Sequence, residues 1–195
     1  MKILFCGGGA LGSHALLLAR DIVRDQEVSV IDFDRVKTRN LASQWFVKQM
    51  VGKPKATALK LQLLNFYGVA LDRVHTVKLT KLNAEPLLRD FDLLVDCFDN
   101  AAARELVQRH ARVHDVSCIH AGLAANGEFA AIRWDADFVI DAEDVPGQPT
   151  CEGDGFLPVI ASACAALVQS LQAFIADREV QLHWNVSASG SEAFA

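Results

Sequence analysis

Three glycines, Gly7, Gly9 and Gly12, stand at the spacing G-x-G-x-x-G within Phe5-Cys6-Gly7-Gly8-Gly9-Ala10-Leu11-Gly12. That spacing suits a phosphate cradle: the first glycine permits a tight turn, the second lets a phosphate approach the backbone, and the third lets helix and strand pack closely. The N–H groups that open the following helix then face the anion. A glycine-rich turn of purely structural purpose fits the same pattern. Asp32 follows Gly12 by twenty residues, where a nucleotide-binding fold places the carboxylate that accepts hydrogen bonds from ribose hydroxyls. An acid that merely ends a strand is the plainer alternative. Lys55 falls in the first turn of a segment opened by Gly52-Lys53-Pro54, against the helix dipole, which is unfavourable unless an anion binds nearby; a solvated lysine is the other reading. Between Asp32 and Lys55 runs a crossover crowded with charges and amides, Phe33 to Gln44, and a later strand ends in the acids of Asp96-Cys97-Phe98-Asp99-Asn100.

The elements that position these groups follow from the apolar pattern. Ile3 to Cys6 reads as a first strand, Ser13 to Val23 as a helix, and Glu27 to Asp32 as a buried parallel strand. Pro54 is expected in the first turn of the next helix, followed by Ala58, Leu59, Leu61, Leu63 and Leu64. Arg73 to Val77 reads as a strand, Glu85 to Arg89 as a short helix, Asp92 to Cys97 as a strand, Ala101 to His114 as a helix and Ser117 to Ala121 as a strand. This rhythm predicts an α/β fold, Rossmann-like and doubly wound, whose mostly parallel sheet gathers ligands at the carboxyl ends of its strands. Gly7, Asp32 and Asp99 would share that edge. Beyond Gly122 come antiparallel additions near the C-terminus: Glu128 to Trp134 and Val180 to Val186, separated by a Pro/Gly-rich loop from Asp141 to Phe156 and an apolar helix from Leu157 to Ile175. That helix reads as too short and too interrupted to span a membrane, and as either core or interface. A single domain is expected over residues 1–186, with a Ser/Gly/Ala tail from Ser187 that frays.

Composition narrows the function classes. At 195 residues, 51% hydrophobic and 22% charged, the chain can build one ordinary core. A net charge of −5 argues against general nucleic-acid binding and against anionic membranes, since both need a cationic surface. The N-terminal apolar run is too short for a signal peptide, so a cytoplasmic location is expected. The five cysteines include no C-x-x-C pair; four sit in apolar runs, and Cys151 sits in a loop beside Glu152 and Asp154, acids that oppose a reactive thiolate. His110 and His114 are four apart on a helix and could reach one metal, but with no third ligand in view they read as surface residues. Trp45, Trp134 and Trp184 read as packing residues.

The combination resembles the ThiF/MoeB/HesA superfamily, which activates ubiquitin-like and sulfur-carrier proteins by adenylating a C-terminal glycine. The resemblance rests on the glycine turn followed by Ser13, on Asp32-Phe33-Asp34, on Asn40-Leu41 with Gln44, on Gly52-Lys53-Pro54-Lys55, and on Asp96-Cys97-Phe98-Asp99-Asn100 with Arg104. It covers roughly Ile3 to Ala176, through Gly155-Phe156-Leu157-Pro158-Val159 and Ser170-Leu171-Gln172-Ala173. It implies ATP as cosubstrate and Mg²⁺ as cofactor. Gly7, Gly9, Gly12 and Ser13 would line the nucleotide, Asp32 would hold the ribose, Lys55 and Asn40 would contact phosphates, Asp34 and Gln44 would support the site, and Asp99 would help hold Mg²⁺. The partner implied is the C-terminus of a carrier protein or peptide, with a homodimer or a heteromer with another family member.

Two departures matter. The family's arginine between Asn-Leu and Gln is replaced by Ser43, and losing one such donor can cost about 3 kcal/mol of transition-state stabilisation; Arg39 could reach the same phosphates. Family members also often begin with a helix that lends an arginine to a neighbouring subunit, whereas this sequence starts on its first strand. These departures motivate an alternative, a catalytically degenerate nucleotide- or partner-binding scaffold. A further alternative, an NAD-dependent oxidoreductase, uses the glycine motif and Asp32 equally well but gives no role to the polar crossover or Lys55.

Overall fold

The runs Ile3–Cys6 and Leu93–Val95 are fully buried along their length, which requires cover on both faces of the sheet and identifies them as central parallel strands. The computed structural model describes residues 1–140 and 156–194. Its elements in chain order are β1 (Lys2–Cys6), α1 (Ala10–Leu18), α2 (Arg20–Asp25), β2 (Glu27–Ile31), α3 (Lys55–Tyr67), β3 (Val74–His75), α4 (Ala84–Leu88), β4 (Leu93–Asp96), α5 (Ala101–His114), β5 (Ser117–Leu123), β6 (Phe129–Trp134), α6 (Leu157–Ala176), β7 (His183–Ser187) and β8 (Gly190–Phe194). Among the described residues these strands form one eight-stranded sheet in the order β3-β2-β1-β4-β5-β6-β7-β8. The first five pair in parallel and the last three antiparallel. The expected doubly wound architecture with antiparallel C-terminal additions is thus the one observed.

Alternation along each strand assigns the two faces. Ile3 and Phe5 of β1 join Val28, Val30, Leu93 and Val95 in the larger core, under α1, α3 and α6. Leu4 and Cys6 point the other way, into a smaller core with Leu94, Cys118 and residues of α4 and α5 such as Leu88 and Val107. Because β1 lies between β2 and β4, the connections leaving it and its neighbours diverge to opposite faces, and a crevice opens at their carboxyl ends.

Several boundaries differ from those read in the sequence. The first helix begins at Ala10, with Gly9 as its N-cap, and is interrupted at Ala19 (ψ 16°) before α2. Pro54 is the N-cap of α3, so Lys55 is its first helical residue. The tail from Ser187, expected to fray, instead closes a hairpin in which β8 pairs with β7 from Ser187–Gly190 to His183–Phe194. Every β8 residue is exposed; backbone pairing holds it together with Phe194, whose ring stacks on His183 at 5.6 Å and lies 4.8 Å from the Arg133 guanidinium, and no apolar periodicity marked it. Helix α6 does have the length and apolarity of a membrane span, yet ten of its residues are buried against α1 and the β6–β7 region. Its Cys164 Sγ donates to Leu11 O at 3.2 Å, and Phe174 packs on the buried ring of Trp134 with centroids 4.6 Å apart. Of the two readings offered for this helix, these contacts make it core.

Ser170, fully buried in α6, ties that helix to β7: its Oγ donates to Leu182 O at 3.0 Å and accepts from Trp184 Nε1–H at 3.0 Å. Replacing it with alanine strands a donor and an acceptor, which costs about 1–3 kcal/mol. Urea denaturation of Ser170→Ala followed by tryptophan fluorescence should show that loss; an unchanged midpoint would mean the α6–β7 junction is held by packing alone.

Candidate functional site

A cleft of about 440 Å³ opens at the carboxyl ends of the parallel strands, lined among others by Gly7, Gly9, Asp32, Asp34, Gln44, Lys55 and Asp99. Residues from the glycine turn, the polar crossover, the start of α3 and the end of β4 therefore meet in one place. The glycine turn forms its floor. Gly7 has φ +104°, and a Cβ there would lie 2.9 Å from Cys97 O, so both backbone conformation and space demand glycine. A Cβ at Gly12 would lie 1.9 Å from Gly7 O, which fixes the close approach of α1 to the strand. Gly9 is different: a Cβ there meets nothing within 4 Å, yet Gly9 lines the cleft. The space it leaves open belongs to whatever enters. No side chain caps α1, and Ala10 and Leu11 of its first turn line the same cleft, as an anion-binding helix end requires.

Asp32 reaches the turn from β2. Its Oδ2 accepts from Gly8 N–H at 2.7 Å and its Oδ1 from Asp34 N–H at 2.7 Å. Burial pushes its pKa up, against the opposing pull of Lys55 and these two backbone donors. A raised carboxyl pKa means that ionised Asp32 costs the fold stability at neutral pH, a cost relieved as the pH falls through its folded value. Lys55 is 8% exposed at its side chain and donates from Nζ to Asp34 Oδ2 at 3.2 Å, while its N–H bonds to Asp34 O at 2.8 Å. The crossover is held against α3 by Gln62, fully buried, whose Nε2 donates to Trp45 O at 3.0 Å and whose Oε1 accepts from Val47 N–H at 3.1 Å. Gln44, next along, has a buried Oε1 with no hydrogen-bond partner.

The opposite wall carries a network that sequence reading did not assign. Asp96, fully buried, accepts from Arg104 Nη1 at 3.2 Å, from His120 Nδ1 at 2.8 Å and, through Oδ1, from Phe98 N–H at 3.0 Å. Burial alone would raise its pKa, but Arg104, His120 and that N–H outweigh it and hold the carboxyl below its usual value. His120 Nε2 lies 3.2 Å from Asp135 Oδ1, and Phe138 stacks on its ring at 4.0 Å. Arg104, anchored also to Ala121 O at 2.8 Å, lines the cleft with Phe138. Asp99 is exposed at the rim beside Asn100, which caps α5 by accepting from Ala103 N–H at 3.0 Å. The thiols of Cys6, Cys97, Cys118 and Cys164 are all pushed up by burial, which opposes the thiolate form; Cys151 lies outside the described residues.

Residues 1–181 match the ThiF family along almost the whole chain. The chain belongs to the ThiF family. Its curated relatives include the sulfur carrier protein adenylyltransferase of Thermus thermophilus, 35% identical over 54% of this chain and 39% of that protein. Another is the probable adenylyltransferase/sulfurtransferase MoeZ of Mycobacterium tuberculosis, 27% identical over 86% of this chain and 45% of that protein. The chain thus spans less than half the length of these relatives. A crystal structure of E. coli MccB with ATP shares the fold, with a TM-score of 0.76 at 18% identity over 99% of this chain and 62% of that one.

Within this ThiF-family fold, some residues expected at the nucleotide do other work. Ser13, fully buried, accepts from Trp45 N–H through Oγ at 2.9 Å and so anchors the crossover to α1 instead of lining the cleft. Asn40, also buried, accepts from Lys37 N–H through Oδ1 at 2.8 Å, shaping the 3-10 turn Thr38–Ala42, and is not among the lining residues. Arg39 is exposed on that turn, outside the lining. Gly12 serves packing from beneath the floor. Ser43, where the family usually has arginine, is fully buried, so the cations lining the cleft among the described residues are Lys55 and Arg104.

The depressed pKa of Asp96 makes stability depend on pH in a definite sense. Its contribution is fully present above the ordinary carboxylate value of about 3.9 and is lost as the pH falls through its lower folded value. Asp96→Asn should therefore destabilise the chain by about 3 kcal/mol at pH 7, with the gap from the unsubstituted chain narrowing in acid. Urea midpoints at pH 7 and pH 3 test this, and an undiminished gap at pH 3 would contradict it.

Proposed function

We propose that this chain uses ATP to adenylate the C-terminal carboxylate of a ubiquitin-like or sulfur-carrier protein, or of a peptide. The observation that carries the reading is the convergence of Gly9, Lys55 and Asp99 on one cleft. These are an open backbone cradle, a cation at a helix start and a rim carboxylate, and they suit the phosphates of a nucleotide better than a nicotinamide. The names of its relatives as adenylyltransferases support the same class. In the reaction, a carboxylate oxygen of the carrier attacks the α-phosphorus, the bond to the bridging oxygen of the β-phosphate breaks, and pyrophosphate leaves. Asp32 would take ribose hydroxyls on its remaining lone pairs, and Gln44 Oε1 would accept a donor of the nucleoside. Lys55 and the first turn of α1 would face the phosphates.

The donor set of the cleft also suits a divalent cation. Three carboxylates, Asp32, Asp34 and Asp99, face two cations, Lys55 and Arg104, and both cations are already paired with acids. A polyphosphate entering such a site needs further positive charge, and Mg²⁺ prefers oxygen ligands such as Asp99. When bound it would neutralise phosphate charge; Lys55 and the α1 N–H groups position the phosphates.

A second reading, a scaffold that binds nucleotide or partner without turnover, is favoured by one observation: Ser43 is buried and Arg39 stands outside the lining. Such a chain would complete its site with a second copy or a related subunit. ATP–pyrophosphate exchange with Mg²⁺ and candidate carrier proteins separates the two. The adenylation reading predicts exchange that falls by about 100-fold or more in Lys55→Ala and Asp99→Ala. Tight ATP binding without exchange in the presence of a correct carrier would favour the scaffold, and tight NAD binding without ATP binding would overturn both.

A further inference from the structure

The helix spacing of His110 and His114 offers two ligands on one face of α5, and the fold supplies a third. Glu85 of α4 brings Oε2 to 3.3 Å from His110 Nδ1 and 3.0 Å from His114 Nε2. The three ligand atoms lie within 4.8 Å of one another, and the imidazole rings lie side by side, tilted 38° to each other with centroids 4.4 Å apart. We propose that Glu85, His110 and His114 form a divalent-metal site of the zinc class that clamps α4 to α5, a site independent of the nucleotide cleft.

Geometry is the main argument. Zinc bonds to histidine nitrogen and carboxylate oxygen run about 2.0–2.1 Å, so neighbouring ligands of a tetrahedral ion sit about 3.3 Å apart. Both Glu85–histidine separations fall near that edge length, and one carboxylate oxygen faces both rings. The ligands are held in place before any ion arrives. His110 is 4% exposed at its side chain, and α4 and α5 are locked together beneath it by Ala84, Leu88, Val107 and Ala111 of the smaller core. Glu85 and His114 are 57% and 42% exposed, which leaves the fourth position to water. Two imidazoles and one carboxylate around an open position is a donor set that takes zinc or iron(II), not calcium or magnesium.

The site's position gives its role. Helix α5 starts at the cleft, where Asn100 caps it and Ala101 lines the wall. At a rise of about 1.5 Å per residue, His114 stands roughly 20 Å away, beyond reach of the nucleotide. A metal there acts by pinning the far end of the helix that carries Arg104.

The test uses the whole chain stripped with a chelator and titrated with Zn²⁺ against a chromophoric competitor. The proposal expects one tight equivalent, weakened in Glu85→Gln and His114→Gln by more than the about 10–100-fold that loss of an outer-sphere partner costs, and retained in Asp99→Ala. Zn²⁺ should raise the melting temperature of the unsubstituted chain and not that of Glu85→Gln/His114→Gln. Both replaced residues are exposed, and circular dichroism verifies that the variants fold. Cobalt(II) should give d–d bands without thiolate charge transfer, which would separate this site from any cysteine site. The proposal is overturned by an absence of stoichiometric binding, by undiminished affinity in the double variant, or by a thiolate signature.

Discussion

A methyl group at position 12 would lie 1.9 Å from the carbonyl oxygen of Gly7, so α1 can descend onto β1 only because that position carries hydrogen. The rest of the site depends on this approach. It sets the first turn of α1 at the carboxyl end of β1 and leaves Gly9 facing open space. It also brings Gly8 N–H within 2.7 Å of the Asp32 carboxylate. Gly7 adds a second constraint, a left-handed backbone pressed against Cys97 O, which joins the turn to the end of β4. Two strands and a helix are thereby fixed around a floor made of backbone.

The walls are built by side chains from distant parts of the sequence. On one side, Ser13 and Gln62 take the two backbone polar groups of Trp45, N–H to Ser13 Oγ and O to Gln62 Nε2, and so hold a long polar crossover still enough to present Asp34 and Gln44. Lys55 completes that wall through its bond to Asp34. On the other side, Asp96 gathers Arg104, His120 and Phe98 N–H. A buried carboxylate without such donors would protonate or destabilise the fold; with them it fixes Arg104 at the cleft. Both walls therefore spend polar groups on position, and among the described residues those that line the cleft beside the first turn of α1 include Gln44, Lys55, Arg104, Asp32 and Asp99.

The βα rhythm and the parallel sheet were legible because strands buried on both faces read as continuous apolar runs, β6 was legible with a burial that alternates instead, and α5 was read with its observed bounds. The convergence of Gly7, Asp32, Lys55 and Asp99 on one cleft was legible for a related reason: each sits at the end of a strand or the start of a helix, where local spacing alone fixes its place. Ser13, Asn40 and Arg39 lie outside the cleft lining; polar side chains in turns choose between a ligand and the nearby backbone, and contacts such as Trp45 N–H to Ser13 are not revealed by spacing. Gln62, Asp96 and His120 were unassigned because their partners come from other elements. The third neighbour of His110 and His114 comes from α4, a five-residue helix whose packing on α5 is a property of the fold. The β8 strand, built of Gly, Ser, Glu, Ala and Phe and exposed throughout, has neither the propensity nor the alternation that marks a strand.

The proposed adenylation requires that the cleft over the glycine turn take a nucleotide whose phosphates meet α1 and Lys55. A crystal structure with a non-hydrolysable ATP analogue tests it most directly. Phosphate oxygens are expected within hydrogen-bond distance of the first-turn N–H groups of α1 and of Lys55 Nζ, with the ribose on Asp32. An analogue bound elsewhere on the chain, or a cleft that stays empty at saturating analogue, would contradict it.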